Sequence, residues 1–229
     1  FTADVPWYPV VGNHELPGAG DEAYLGANME YLRAYPLGAV SPGPSGCPQT
    51  TYSFDRGQAH FVVLNEYCTA AGDNHINGDV SDSLYNWLAA DLAATDQEFI
   101  FIFGHEPAYP QPDADVGVLR YLGGGLDKYP EHRDRFWSLL RAFNVTAYIC
   151  GHTHTYSAEN LYGVWQIDTG HARGAADETA PSTAVVIKIN SLGKVLLQTY
   201  RTESPGGDYM LKHYGLLNEK IHLPLMMIQ

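Results

Sequence analysis

An α/β fold with a mixed, two-layered β-sheet arrangement flanked by helices is what this sequence predicts, on three observations. Strand-like and helix-like segments alternate early in the chain and strands predominate later. Phe99–Phe103 is a continuous apolar run, the pattern of a strand covered on both faces. Three apolar runs also end alike, on a glycine followed by a polar side chain able to ligate metal. The 229 residues suffice for a sizeable core, and 45% apolar with 17% charged residues is ordinary for a globular protein. They are read as one domain over residues 1–229.

Taken in order, Val5–Val11 reads as a short buried strand ending at Gly12-Asn13-His14-Glu15. Asp21–Ala34 has helical character, broken at Tyr35-Pro36. Leu37–Gln49 is dense in proline and glycine and reads as loop. Thr51–Asp55 and Ala59–Leu64 alternate around Arg56-Gly57-Gln58, a hairpin signal. Gly72–Asp79 is polar loop. Ser81-Asp82-Ser83 caps a helix through Ala94, with Leu84, Trp87, Leu88 and Leu92 on one face. The strand Phe99–Phe103 stops at Gly104-His105-Glu106-Pro107, and Pro110–Lys128 is a loop long enough to shape a pocket. Glu131–Phe143 is a helix with Phe136, Leu139, Leu140 and Phe143 inward. Val145–Cys150, Val164–Ile167, Thr183–Ile189 and Val195–Tyr200 are strands, the last two joined by a tight turn over Asn190–Lys194.

Bulk properties narrow the partners. A formal net charge of −13 repels polyanions, so no nucleic-acid partner is expected. No apolar run is long enough to span a bilayer, and the tail Leu223–Ile228 is far too short. Few lysines among many Tyr, Gly, Asn and Thr residues fit a secreted or periplasmic protein. Cys150 lies inside an apolar strand and reads as a buried, inert thiol. Cys47 and Cys68 sit in polar surroundings compatible with either a disulfide or two separate thiols.

The chemistry resides in Val10-Val11-Gly12-Asn13-His14, Ile102-Phe103-Gly104-His105 and Ile149-Cys150-Gly151-His152-Thr153-His154. In α/β sheets ligands bind beyond the carboxyl ends of strands, where loops from separate strands converge. Each cluster alone reads equally as turn chemistry, but their shared context points to one metal site. His152 and His154, two positions apart, can face two neighbouring cations, and Gly151 is expected to let the backbone turn sharply beside them. Nitrogen and amide-oxygen donors without thiolate suit two divalent or trivalent ions such as Zn, Mn or Fe.

On Gly12-Asn13-His14-Glu15, Gly104-His105 and Gly151-His152-Thr153-His154, in that order, the sequence resembles the calcineurin-like metallophosphoesterases, the superfamily that includes purple acid phosphatases. The helix around Trp87-Leu88-Ala89-Ala90-Asp91-Leu92 is similar to the family as well, and the resemblance covers nearly the whole chain. It implies that Asn13, His105 and His152 ligate one metal and His154 the other. His14 would approach the phosphate of a small phosphoester substrate as the catalytic residue, and Glu106 would either orient His105 or stand as a surface carboxylate. His171 is a candidate for lining the substrate cleft or for capping its turn, and Tyr156 for contacting substrate or packing in the core. Family members also carry an Asp-x-His strand exit and a Gly-Asp segment upstream of the Gly-Asn-His cluster. Neither precedes Gly12 here, so the chain is read as N-terminally incomplete, with an N-terminal segment of the same protein supplying the bridging aspartate. Asp73-Asn74-His75 and Gly78-Asp79 imitate those motifs in the wrong order. The expectation is a metal-dependent phosphohydrolase, with a catalytically silent binding or structural domain as the alternative.

Overall fold

The computed structural model describes residues 6–14, 40–68, 77–172, 180–204 and 207–218, and within them a first sheet whose central strands are buried almost throughout. Its strands are β1 (Ser41–Pro42), β2 (Tyr52–Arg56), β3 (Ala59–Val63), β4 (Phe99–Phe103), β5 (Ala147–Cys150), β6 (Tyr156–Leu161) and β7 (Val164–Thr169). They lie in the order β1-β2-β3-β4-β5-β7-β6. β3, β4, β5 and β7 are parallel neighbours, while β1, β2 and β6 run antiparallel to their partners. Four carboxyl ends therefore emerge at one edge. A second, antiparallel sheet contains β8 (Thr183–Ile189), β9 (Val195–Thr202) and β10 (Tyr209–Leu216), ordered β10-β9-β8.

The FIFIF strand shows how the layers stack. Ile100 and Ile102 face the helices α1 (Asp82–Ala94) and α2 (Pro130–Ala142), meeting Leu84, Leu88, Leu92, Phe136 and Leu140. Phe99 and Phe101 face the other way and meet Val195 and Leu197 of the second sheet. Burying each leucine of α1 contributes roughly 1.5–3 kcal/mol relative to exposure. Ser81 occupies the N-cap of α1 without a side-chain capping bond, and Pro130 opens α2, where its missing N–H costs nothing. A ladder of rings crosses the sheet: Tyr8 stacks on Phe54 (centroids 3.7 Å), Phe54 on Phe61 (5.1 Å) and Phe61 on Phe101 (5.6 Å). It docks the segment that leads to Asn13.

Several expectations change. Pro6–Val11 joins no ladder; Pro6 and Pro9 lack donors, and the Pro9 carbonyl accepts instead from the Tyr52 hydroxyl at 2.9 Å. The Pro/Gly-rich stretch contributes the two-residue strand β1. β6 and β10 were not legible: β6 is partly or fully exposed beyond its first two residues, and β10 is largely exposed, with its register shifting between Leu211 and His213. Tyr162 (φ 57°) and Gly163 (φ 100°) close the β6–β7 hairpin in the left-handed region. The helix expected at Asp21–Ala34, Glu15, Asp73-Asn74-His75 and the tail Leu223–Ile228 lie outside the described residues.

Candidate metal centre

Asn13, His105 and His152 come from three separate chain segments, yet their donor atoms meet. His105 Nε2 lies 3.0 Å from Asn13 Oδ1 and 3.2 Å from His152 Nδ1. Donors around one cation at about 2.1 Å stand about 3.0–3.4 Å apart at octahedral to tetrahedral angles, so the spacing fits a shared ion. Among the described residues no three His, Cys, Asp or Glu side chains group closely enough to hold a metal by themselves; the third donor here is an amide oxygen. Burial, then the neighbouring imidazoles of His152, His14 and His154, push the His105 pKa down to about 3. Burial likewise lowers His152, against the opposing bond to the Gly124 carbonyl. Both rings are therefore neutral, the state that ligates metals. His152 Nε2 donates to the Gly124 carbonyl at 3.2 Å, which leaves Nδ1 to face the cleft as an acceptor.

His154 points elsewhere: its Nδ1 is 3.5 Å from Arg120 Nη1 and its ring 5.7 Å from that of His171. His14 is exposed at the mouth. Together with Tyr121, which packs its ring 4.7 Å from that of His152, these side chains line a cleft of about 360 Å³ at the carboxyl edge of the sheet.

The turn that carries the two histidines is unusual. His152 (φ 67°) and His154 (φ 62°) are both left-handed, whereas Gly151 is not, and a Cβ there would meet nothing nearer than 3.8 Å. The expectation that Gly151 makes the turn is thus corrected. Strained backbone of this kind persists only when its surroundings over-determine it. The buried Thr153 supplies that constraint, donating from Oγ1 to Asp168 Oδ2 at 2.5 Å and lying 2.8 Å from Thr155 Oγ1. Asp168 also accepts from the Gly170 N–H at 3.0 Å; burial outweighs these bonds and raises its carboxyl to about 8.

Gly104 is needed for space. A Cβ there would collide with Glu66 Oε1 and the Tyr148 hydroxyl. Glu66 leaves the end of β3 just as His105 leaves β4, and it is fully buried. Its Oε2 accepts from the backbone N–H of His105 at 2.9 Å and of Glu106 at 2.7 Å, while Oε1 accepts a very short bond from the Tyr148 hydroxyl. Burial and the nearby Glu106 raise Glu66 to about 8 despite those donors. Glu106 is itself buried, accepts from the Tyr67 hydroxyl at 2.8 Å and is raised by burial to about 7. It braces the core and makes no bond to the His105 ring among the described contacts, unlike either role the sequence suggested. Glu66 was missed, although a polar residue soon after an apolar strand was a signal the other exits shared.

Other residues sort plainly. Tyr156 is buried between the sheets, with its hydroxyl accepting from Thr199 Oγ1 at 2.8 Å, so it faces the core and not the cleft. His171 lines the cleft and donates from Nε2 to the Ala180 carbonyl at 2.9 Å. Asp79 accepts from His132 Nδ1 at 2.8 Å, which engages it with α2. Cys47 and Cys68 form a disulfide, and Cys150 is a buried free thiol. Among the described residues no helix is long and apolar enough to cross a membrane.

Known proteins place this arrangement. The family model described as calcineurin-like phosphoesterase matches residues 1–156. An acid phosphatase of Aspergillus ficuum is 28% identical over 226 residues, covering 70% of this chain and 34% of its own length. Tartrate-resistant acid phosphatase type 5 of Oryctolagus cuniculus is 24% identical, covering 94% of this chain and 58% of its own length. The chain thus spans only about a third to three-fifths of these relatives. The purple acid phosphatase PPD1 from yellow lupin (Lupinus luteus) superposes with a TM-score of 0.59 at 15% identity, over 90% of this chain and 39% of that one. With the family model covering well over half of its residues, the chain belongs to the calcineurin-like phosphoesterases.

Proposed function

We propose that residues 1–229 act as one domain that hydrolyses small phosphate mono- or diesters with the help of two divalent or trivalent cations, Zn, Mn or Fe. The observation that carries this reading is the meeting of Asn13 Oδ1, His105 Nε2 and His152 Nδ1 within 3.0–3.2 Å at neighbouring chain exits. The acid phosphatase names of the relatives support it. Asn13, His105 and His152 hold one cation, and His154 contributes to the second. Cations there supply Lewis acidity toward a phosphoryl oxygen and lower the pKa of water. The chain's own residues do the rest. His14 stands at the mouth beside Asn13, where it stabilises charge developing on the phosphate or gives a proton to the departing oxygen. His171 lines the cleft, where it would contact substrate. The described lining contains no carboxylate; an aspartate for the cation pair would come from an N-terminal segment of the same protein. The Cys47–Cys68 bridge supports an exported, oxidising location.

The same lack of a lining carboxylate favours a second reading, a catalytically silent domain of this fold. Metal analysis paired with release of p-nitrophenol from its phosphate esters separates the two. Metal-dependent turnover that falls by roughly 100-fold or more in His152→Ala and Asn13→Ala supports the hydrolase. With the upstream N-terminal segment supplied, occupied cations with no turnover leave only the silent domain.

A further inference from the structure

Glu66 belongs to none of the motifs that point to a cation, yet it grips the residue on which the site depends. Its buried carboxylate reaches across from the exit of β3 and takes the two successive N–H groups of His105 and Glu106 on one oxygen. The other oxygen takes the Tyr148 hydroxyl from β5, and that hydroxyl also lies 2.6 Å from the Glu106 carbonyl. Three neighbouring parallel strands are thus tied together immediately behind the His105 ring. The grip is itself anchored: Asn65 donates from its N–H to Thr51 Oγ1 at 3.0 Å and from Nδ2 to Thr50 Oγ1 at 2.9 Å, and Cys68 is bridged to Cys47. Gly104 is bare at the one place where a side chain would push the carboxylate away.

We infer that Glu66 is a positioning residue: it fixes the backbone of the β4 exit so that the His105 ring meets Asn13 and His152 in a geometry ready for a cation. The inference rests on the reading of that trio as a cation site. Groups that orient metal ligands typically contribute 10–100-fold in metal affinity. Gln at position 66 keeps one oxygen for the two backbone donors, and its amide can donate to the Tyr148 oxygen, so it preserves the grip. Ala abolishes it.

The test is Zn²⁺ affinity by titration calorimetry on the protein and its Glu66→Ala, Glu66→Gln and Leu88→Ala variants. Leu88 of α1 packs in the core and makes a purely structural control. The expected result is at least tenfold weaker Zn²⁺ binding in Glu66→Ala, near-native binding in Glu66→Gln, and a lowered Tm with unchanged affinity in Leu88→Ala. Should Glu66→Ala fail to fold, Glu66→Asp, which shortens the reach by one methylene, carries the same expectation. Native affinity in Glu66→Ala or Glu66→Asp overturns the inference and leaves the cation site standing, as does an equal loss in Leu88→Ala. Failure of the unsubstituted protein to take up Zn²⁺ overturns both.

Discussion

Two glycines of the same Gly-His pattern carry different burdens. Gly104 has no room for a methyl group, because Glu66 and Tyr148 fill the space; Gly151 has room to spare. Gly104→Ala is expected to destabilise the fold by about 1–3 kcal/mol through overpacking. Gly151→Ala should change stability by less than about 0.5 kcal/mol, as at an unconstrained site. Chemical denaturation of both variants checks the contrast, and equal losses would refute the steric account. At this scale the meeting of Asn13, His105 and His152 was legible because each follows a glycine after an apolar run. Glu66, Thr153 and Asp168 were not. Glu66 follows an apolar strand as the other candidates do, but the backbone N–H groups and hydroxyls these side chains engage are distant in sequence, and no local pattern records those partners. Tyr156 stood open between cleft and core for a related reason: proximity to His154 in sequence says nothing about which side of a strand a ring occupies.

Elements were read best where burial was two-sided or periodic. β4, α1 and α2 emerged within a few residues of their observed ends, since an unbroken apolar run or a repeating stripe leaves little choice. β6 and β10 carry mixed polar sequences whose pairing depends on tertiary partners. Between elements, one contact has a distinctive pH signature. His60 of β3 is buried between Asp55 of β2 (2.6 Å) and Asp91 of α1 (2.8 Å), and Asp91 also takes the Ser53 hydroxyl at 2.6 Å. Burial opposes the imidazolium, but the bonds and charges of Asp91 and Asp55 prevail and raise its pKa above 6.5. A raised pKa stabilises the fold fully below the unfolded value and ceases to do so as pH climbs through the folded one. The Tm difference between the protein and His60→Gln should therefore be largest near pH 5 and shrink above neutrality. A difference that grows with pH would sink this assignment.

The whole molecule leans the same way. Glu66 and Asp168 are raised to about 8 and Glu106 to about 7, each mainly by burial. Because these groups hold protons in the fold that an unfolded chain would release, stability is greatest below the ordinary carboxyl range of 3.8–4.5 and declines as pH rises toward 8. Asp113, lowered by its bond to Arg201 and by backbone donors against the effect of burial, sets the opposing acid limit. Thermal scans should accordingly give a higher Tm near pH 5 than near pH 8; the reverse order would contradict the buried-carboxyl account. The α/β class and layered arrangement were visible in the sequence, since they follow from the order of elements. Convergence of the exits carrying Asn13, His105 and His152 was expected from their shared pattern; the strand order that sets β3 beside β4 at the same edge was not, because it depends on tertiary pairing.

The Tyr8–Phe54 stack has a practical corollary. Tyr8 lies five residues before Asn13, so its ring is a native optical tag on the segment that delivers the amide donor. Near-ultraviolet circular dichroism, compared between the protein and Tyr8→Phe, isolates that chromophore's signal. Detachment of the segment can then be followed by light alone, with no dye attached and no turnover required.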